Sequence, residues 1–177
     1  MTGRGTPRGP AVLTAVFATA LFLSGCTTGS PDHSEDKTSM PTATQEQATA
    51  QITRYATQTQ QAVGAGPLLN PTVTAGPCQN PTGDFSDPDQ LFTVLGVYQV
   101  TLPAQQHRAV LRRISQQWNQ NGWTTTYRDL AGTQRAEVTA RNPHDNYEIT
   151  LTSTAPPQAI RVSVFSPCYQ RPSSAAS

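Results

Sequence analysis

The chain has 177 residues, with 12 Lys and Arg against 11 Asp and Glu, for a formal net charge of +1. That balance supplies no long-range field to steer the chain to nucleic acid or to an acidic polymer, so nucleic acid is not an expected partner. The length suits one domain rather than several.

Residues 1–10 carry Arg4 and Arg8 without an acid, and residues 11–23 form an uncharged run rich in Ala, Val, Leu and Phe. As a helix this run would extend about 20 Å, short of the ~30 Å hydrocarbon core of a bilayer. A basic start, a short apolar run and then small residues are the layout of a secretory signal rather than of a permanent span. The run ends in Leu23-Ser24-Gly25-Cys26, which resembles a bacterial lipobox. The resemblance implies cleavage before Cys26, a diacylglycerol on its thiol and further acylation of the new N-terminus. Two or three chains hold a protein on a membrane far more firmly than one, which binds only marginally. The competing reading is an ordinary secretory signal with an incidental cysteine. The expected address is the extracytoplasmic face of the cell membrane, with the bilayer itself as a partner through Cys26.

Residues 26–43 are Thr, Ser, Pro, Gly and charged residues with almost no bulky apolar side chain. Such a stretch buries too little surface to offset its ordering entropy, and a disordered tether is expected. From Thr44 to Val63 there is no Gly or Pro, and Ala48, Ile52, Tyr55, Thr59 and Ala62 recur at spacings of four and three. That is a narrow helical stripe, predicted to pack lightly. Residues 67–88, punctuated by Pro, Gly and Asn around Cys78, are expected to form a loop with little ladder potential. Asp84, Asp87 and Asp89 lie in it at a loose calcium-loop spacing, but no glutamate closes the set, and Asx-turns account for them more simply.

Leu91 to Leu102 is the most apolar stretch after the leader, and its β-branched and aromatic content predicts a strand. Gly96 within it marks either a bulge or a close backbone approach. Pro103 opens a helix to about Asn121, with Ala104, Val110, Leu111, Ile114 and Trp118 on one face. Gly122 fits the residue after the helix cap in a Schellman ending, which would bring Trp123 against Trp118. The two tryptophans then read as core anchors in preference to a ligand platform. Four alternating segments follow, at 123–130, 134–141, 147–153 and 160–165, separated by turn-forming clusters. The predicted fold is α+β: a two-layer sandwich of a mostly antiparallel sheet of about five strands, one main helix over it, and an additional N-terminal helix. The domain is placed at 44–172, with 173–177 as a disordered tail.

If Cys26 carries lipid, Cys78 and Cys168 remain as an even pair in an oxidising compartment, where a disulfide is the default. A reactive or metal-binding thiol pair is the alternative, and it lacks a CxxC spacing or a neighbouring His. His33, His107 and His144 are scattered over tether, helix and turn, and no Gly-x-Ser-x-Gly elbow, HExxH or P-loop occurs. No cofactor, no metal and no catalytic set is expected. Arg135, Glu137, Arg141, Glu148 and Arg161 should all project from the polar side of the sheet. Cross-strand ion pairs are the simple account of them; a shallow binding face for an anionic glycan or lipid headgroup is the sharper one.

With its lipobox, Gln/Thr-rich helix, Cys78 loop, helix ending at Gly122 and last strand closing at Cys168, the chain resembles small actinobacterial lipoproteins, the mycobacterial LppA-like group among them. Residues 108–126 and 146–168 carry most of the likeness beyond Leu23–Cys26. The likeness implies an α+β envelope lipoprotein and transfers no functional residue beyond Cys26. The function expected is a non-catalytic binding or scaffolding module that meets an envelope protein, glycan or lipid. The alternatives are an envelope hydrolase or transferase, or its accessory, with a site built from distant residues, and a lipid carrier.

Overall fold

Thr44 starts the first helix because its hydroxyl accepts from the Gln47 N–H while the Gln47 side chain accepts from the Thr44 N–H, a reciprocal capping box. The computed structural model describes residues 40–130, 134–156 and 158–173, all within one compact unit, Thr38–Ser177. The predicted signal peptide and Cys26 lie outside these residues, as does the predicted tether up to residue 39. Helix α1 (Gln45–Val63) ends at Gly64, whose φ of 71° is the left-handed conformation that closes a helix. Strands β1 (Leu69–Pro77) and β2 (Leu91–Thr101) follow, then a 3₁₀ turn at Ala104–Gln106 and helix α2 (His107–Gln120). Strands β3 (Thr124–Asp129), β4 (Ala136–Arg141), β5 (Glu148–Ser153), β6 (Ala159–Phe165) and β7 (Tyr169–Gln170) complete the chain.

The seven strands make one antiparallel sheet in the order β1-β2-β6-β5-β4-β3, with β7 pairing to the start of β2. Strands β3 to β6 are a meander, and β2 adds to its β6 edge. The register sets Tyr98, Val162, Leu151, Val138 and Tyr127 side by side across five strands, with Gly96, Val164, Ile149, Ala140 and Thr125 in the next row. Side chains two apart share a face, so these rows form one surface, and Val138, Ile149, Leu151, Val162 and Val164 are buried on it. Helix α1 contacts β2 and β6, and α2 contacts β3 and β4. The α+β class and the antiparallel pairing are as the sequence predicts.

The strand count differs. Residues 69–77, expected to be loop, are β1, and residues 169–170 are β7. β1 is an edge strand paired only with β2, exposed over most of its length, so burial writes no alternation into its sequence. Its prolines sit where a missing N–H is tolerated: Pro71 falls in the register shift between Leu69 and Thr72, and Pro77 ends the strand. The N-terminal helix also counts for more than a light stripe suggests, since Ala48, Ile52, Tyr55, Ala56, Thr59 and Val63 are all buried. Small residues on the helix and Gly96 on β2 let the two backbones approach. A Cβ at Gly96 would overlap Ile52 Cγ2 and lie 2.9 Å from the Tyr98 ring.

Helix α2 ends as its sequence signals. Gly122 has φ 81°, Trp123 N–H donates to Trp118 O at 3.0 Å, and Gly122 N–H donates to Asn119 O at 3.0 Å. These are the two bonds of a Schellman motif. The Trp118 and Trp123 rings stack 5.6 Å apart. His107, which the helical stripe did not include, is fully buried at the start of α2, and its Nε2–H donates to Leu102 O at 2.8 Å.

Cys78 and Cys168 form a disulfide with their Cα atoms 5.8 Å apart. It joins the loop after β1 to the residue before β7. In that loop Asn80 Oδ1 accepts from the Thr82 and Asp84 N–H groups, and Asp87 Oδ1 accepts from the Asp89 N–H, so side chains supply the turns. The chain is tied down from Pro41, whose carbonyl accepts from Gln170 N–H, while Ala43 N–H donates to Gln170 O. At the other end Arg171 lies 4.7 Å over the Phe92 ring and donates to Pro88 O.

Candidate functional site

The side of the sheet opposite α1 and α2 carries the odd-numbered residues of β2, β4 and β6 and the even-numbered ones of β3 and β5. Register turns these into three rows. Arg128, Glu137, Thr152, Arg161 and Gln99 form the first; Thr126, Thr139, Thr150, Ser163 and Val97 the second; Thr124, Arg141, Glu148, Phe165 and Leu95 the third. Four of the five charged residues singled out in the sequence therefore lie on strands of this face. Arg135, just before β4, lines the same groove as Arg161.

The charges are partly paired. Arg141 Nη2 reaches Glu148 Oε2 at 3.1 Å directly across the β4–β5 ladder. Glu137 is claimed by Arg128 at 2.6 Å and by the Thr152 hydroxyl at 3.0 Å. With the arginine ends more than half exposed, each pair contributes only about 0.2–1 kcal/mol. Thr139 and Thr150 share a hydroxyl–hydroxyl hydrogen bond of 3.1 Å at the centre of the middle row. Arg135 Nε donates to Ser153 O at 3.4 Å. The Arg161 side chain, exposed, has no hydrogen bond or ion pair among the described residues. It borders a groove of about 270 Å³ with Arg135, Gln99, Thr152 and Thr154. Among the described residues two guanidinium groups and no carboxylate line that groove, so its chemistry suits an oxyanion.

On the helix side a chain of hydrogen bonds links distant segments. Tyr55 OH donates to Asp145 Oδ2 at 2.7 Å and accepts from Asn142 Nδ2 at 2.6 Å, and Tyr169 OH donates to Tyr147 OH at 3.2 Å. The Tyr55 and Tyr147 rings lie 5.1 Å apart. Burial, with the Asp145 carboxylate as hydrogen-bond partner, pushes the Tyr55 hydroxyl from 10.0 up to about 12. Burial and the Tyr169 hydroxyl push Tyr147 upward as well. A tyrosine held this way is a donor and not a base, so the cluster fastens α1 to the β4–β5 turn. The folded pKa exceeds the unfolded one, so the contribution is complete below pH 10 and is lost as pH rises through about 12. Phenolate absorbance of the folded chain should accordingly lag behind free tyrosine, and unfolding free energy should fall over that window. Full ionisation of all tyrosines at pH 10 without unfolding would contradict it.

Next to Tyr55, a slot of about 190 Å³ opens between α1 and α2 above Ile149, walled by Trp118 and Trp123 and rimmed by Gln58, Gln117 and Asn121. Tyr55 meets Trp123 edge-on at 5.8 Å.

Among the described residues no group of three or more His, Cys, Asp or Glu is placed to hold a metal ion, and no helix is long and apolar enough to cross a membrane. The sequence reading missed Arg128 and Gln99 on the open face and Gln58, Gln117 and Asn121 at the slot. Arg128 could have been found from its alternation with Tyr127 within β3; the amides carry no signal until the helices are set side by side. No protein-family model, no curated protein and no solved structure matches this chain.

Proposed function

We propose that the chain is a lipid-anchored lipoprotein of the LppA-like kind, held at the extracytoplasmic face of the membrane through Cys26. In this reading the domain is a two-layer sandwich that uses the open face of its sheet as a non-catalytic binding or scaffolding surface for an anionic envelope component. The observation that carries it is the groove at Arg161, whose side chain has no partner among the described residues and which shares the groove with Arg135, while Arg128 and Arg141 are paired to Glu137 and Glu148. Hydroxyl and amide side chains around it can satisfy the remaining oxygens of a carboxylate or phosphate. The apolar run ending at Leu23-Ser24-Gly25-Cys26 supports the address.

Cys26→Ala is expected to abolish incorporation of labelled fatty acid and to release the chain from the membrane fraction; unchanged partitioning without any labelling of the parent chain would sink the anchor. A photo-crosslinking residue at Ala155, on the rim of the groove, should capture a defined component in cells, and Arg161→Glu should prevent the capture. The same crosslinker at Arg54, exposed on α1, should not capture it. Equal capture at both positions would place the partner elsewhere.

A further inference from the structure

The slot between the two helices is unlike the open face in its chemistry. Among the described residues no charged side chain lines it: Ile149 and Tyr55 are buried against it, the buried Trp118 stacks on the half-buried Trp123, and three amides, Gln58, Gln117 and Asn121, complete the lining with Thr59 and Ala62. All three amide residues are exposed, and none of their side chains has a hydrogen-bond partner among the described residues. Each offers two donors and an acceptor. An apolar aromatic wall fits a ring face of C–H groups, and amides around it fit a ring edge of hydroxyls, which both donate and accept. A pyranose sugar presents both surfaces at once. The absence of charge in the lining disfavours uronic acids, phosphates and amines, which would lose hydration without gaining a partner. At about 190 Å³ the slot is below the roughly 300–1,000 Å³ of sites for drug-sized ligands, so it takes one ring and leaves any further residues outside.

We propose that this slot binds a single neutral pyranose ring, stacked along the tryptophan wall and hydrogen-bonded by Gln58 and Gln117 from opposite helices. The site is independent of the lipid anchor and of the Arg161 groove: it shares no residue with either, and it would stand if both were wrong.

The chain has two tryptophans, and both belong to the slot, so tryptophan emission of the full-length protein reports on this place alone. The probes are methyl glucoside, methyl mannoside and methyl N-acetylglucosaminide, with glucuronate as the charged comparator and sorbitol as the open-chain one. A saturable blue shift with at least one methyl glycoside is expected, because a ring against the indoles displaces water. Gln58→Ala and Gln117→Ala replace exposed helical residues by the best helix former, so folding is kept and thermal midpoints should match the parent. Each should weaken binding by about 2- to 12-fold, the loss of one neutral hydrogen bond. No saturable shift with any glycoside, an equal response to sorbitol, tighter binding of glucuronate, or both variants binding like the parent would each overturn the proposal.

Discussion

Replacing Cys168 by serine is expected to lower the unfolding free energy of the oxidised chain by about 4–5 kcal/mol, read from urea unfolding with the slope fitted separately for each variant, because the denatured chain without the cross-link is less compact. The cysteines are 90 residues apart, so the bond closes a loop containing β2, α2 and β3 to β6, and chain entropy gives that loop nearly the largest effect a single cross-link has. The loss is a large fraction of the 5–15 kcal/mol that holds an ordinary domain together. Few other contacts would take over. The loop after β1 is held by its own turns and by Ser86, whose hydroxyl accepts from Cys78 N–H at 3.0 Å, and β7 has two residues. The Cys78→Ala, Cys168→Ala pair should cost the same as Cys168→Ser, because either change removes one cross-link. Reduced parent protein should behave like both. A loss under 1 kcal/mol in all three would mean that the denatured chain is already compact between those residues.

The disulfide was legible because it follows from counting: one cysteine assigned to lipid leaves two. The helices were legible for a similar reason, as Thr44, Gly64, Pro103 and Gly122 are local punctuation whose physics needs no tertiary partner. Alternation in β4, β5 and β6 likewise survives because one side of each strand is buried and the other is not. β1 fails that test. It is exposed, contains two prolines and takes its order from β2, so nothing in its own residues announces a strand. Register is the other gap. The charges of the open face could be placed on one side of the sheet, but that Glu137 sits between Arg128 and Thr152 while Arg161 is left without an ion partner among the described residues depends on how the strands align. The Tyr55–Asp145 bond joins residues 90 apart and has no sequence signature. The slot lies between these extremes: the Trp118–Trp123 contact is written in the Schellman ending, and the amides facing it are not.

Of the described glycines only Gly96, where α1 crosses β2, leaves no room for a Cβ, and a double-mutant cycle there should show strong coupling. Gly96→Ala puts a methyl group where Ile52 Cγ2 already is and 2.9 Å from the Tyr98 ring. Overpacking of this kind costs about 1–3 kcal/mol, reduced by a few tenths because alanine restricts the unfolded chain more than glycine does. Ile52→Ala empties a fully buried site and should cost about 2–5 kcal/mol. Combined, the two changes partly cancel, since the new methyl enters the space that the isoleucine vacates. The double variant should therefore be more stable than the sum of the single costs predicts, by about 0.5–3 kcal/mol, the usual range for side chains in contact. It should not return to the parent value, because the Tyr98 ring still crowds the added carbon and the rest of the Ile52 volume stays empty. Costs that add to within about 0.3–0.5 kcal/mol would show that Ile52 and Gly96 do not meet. Helix α1 would then have to be held by its Tyr55 end, through Asp145 and Asn142, and no longer by close contact with the sheet.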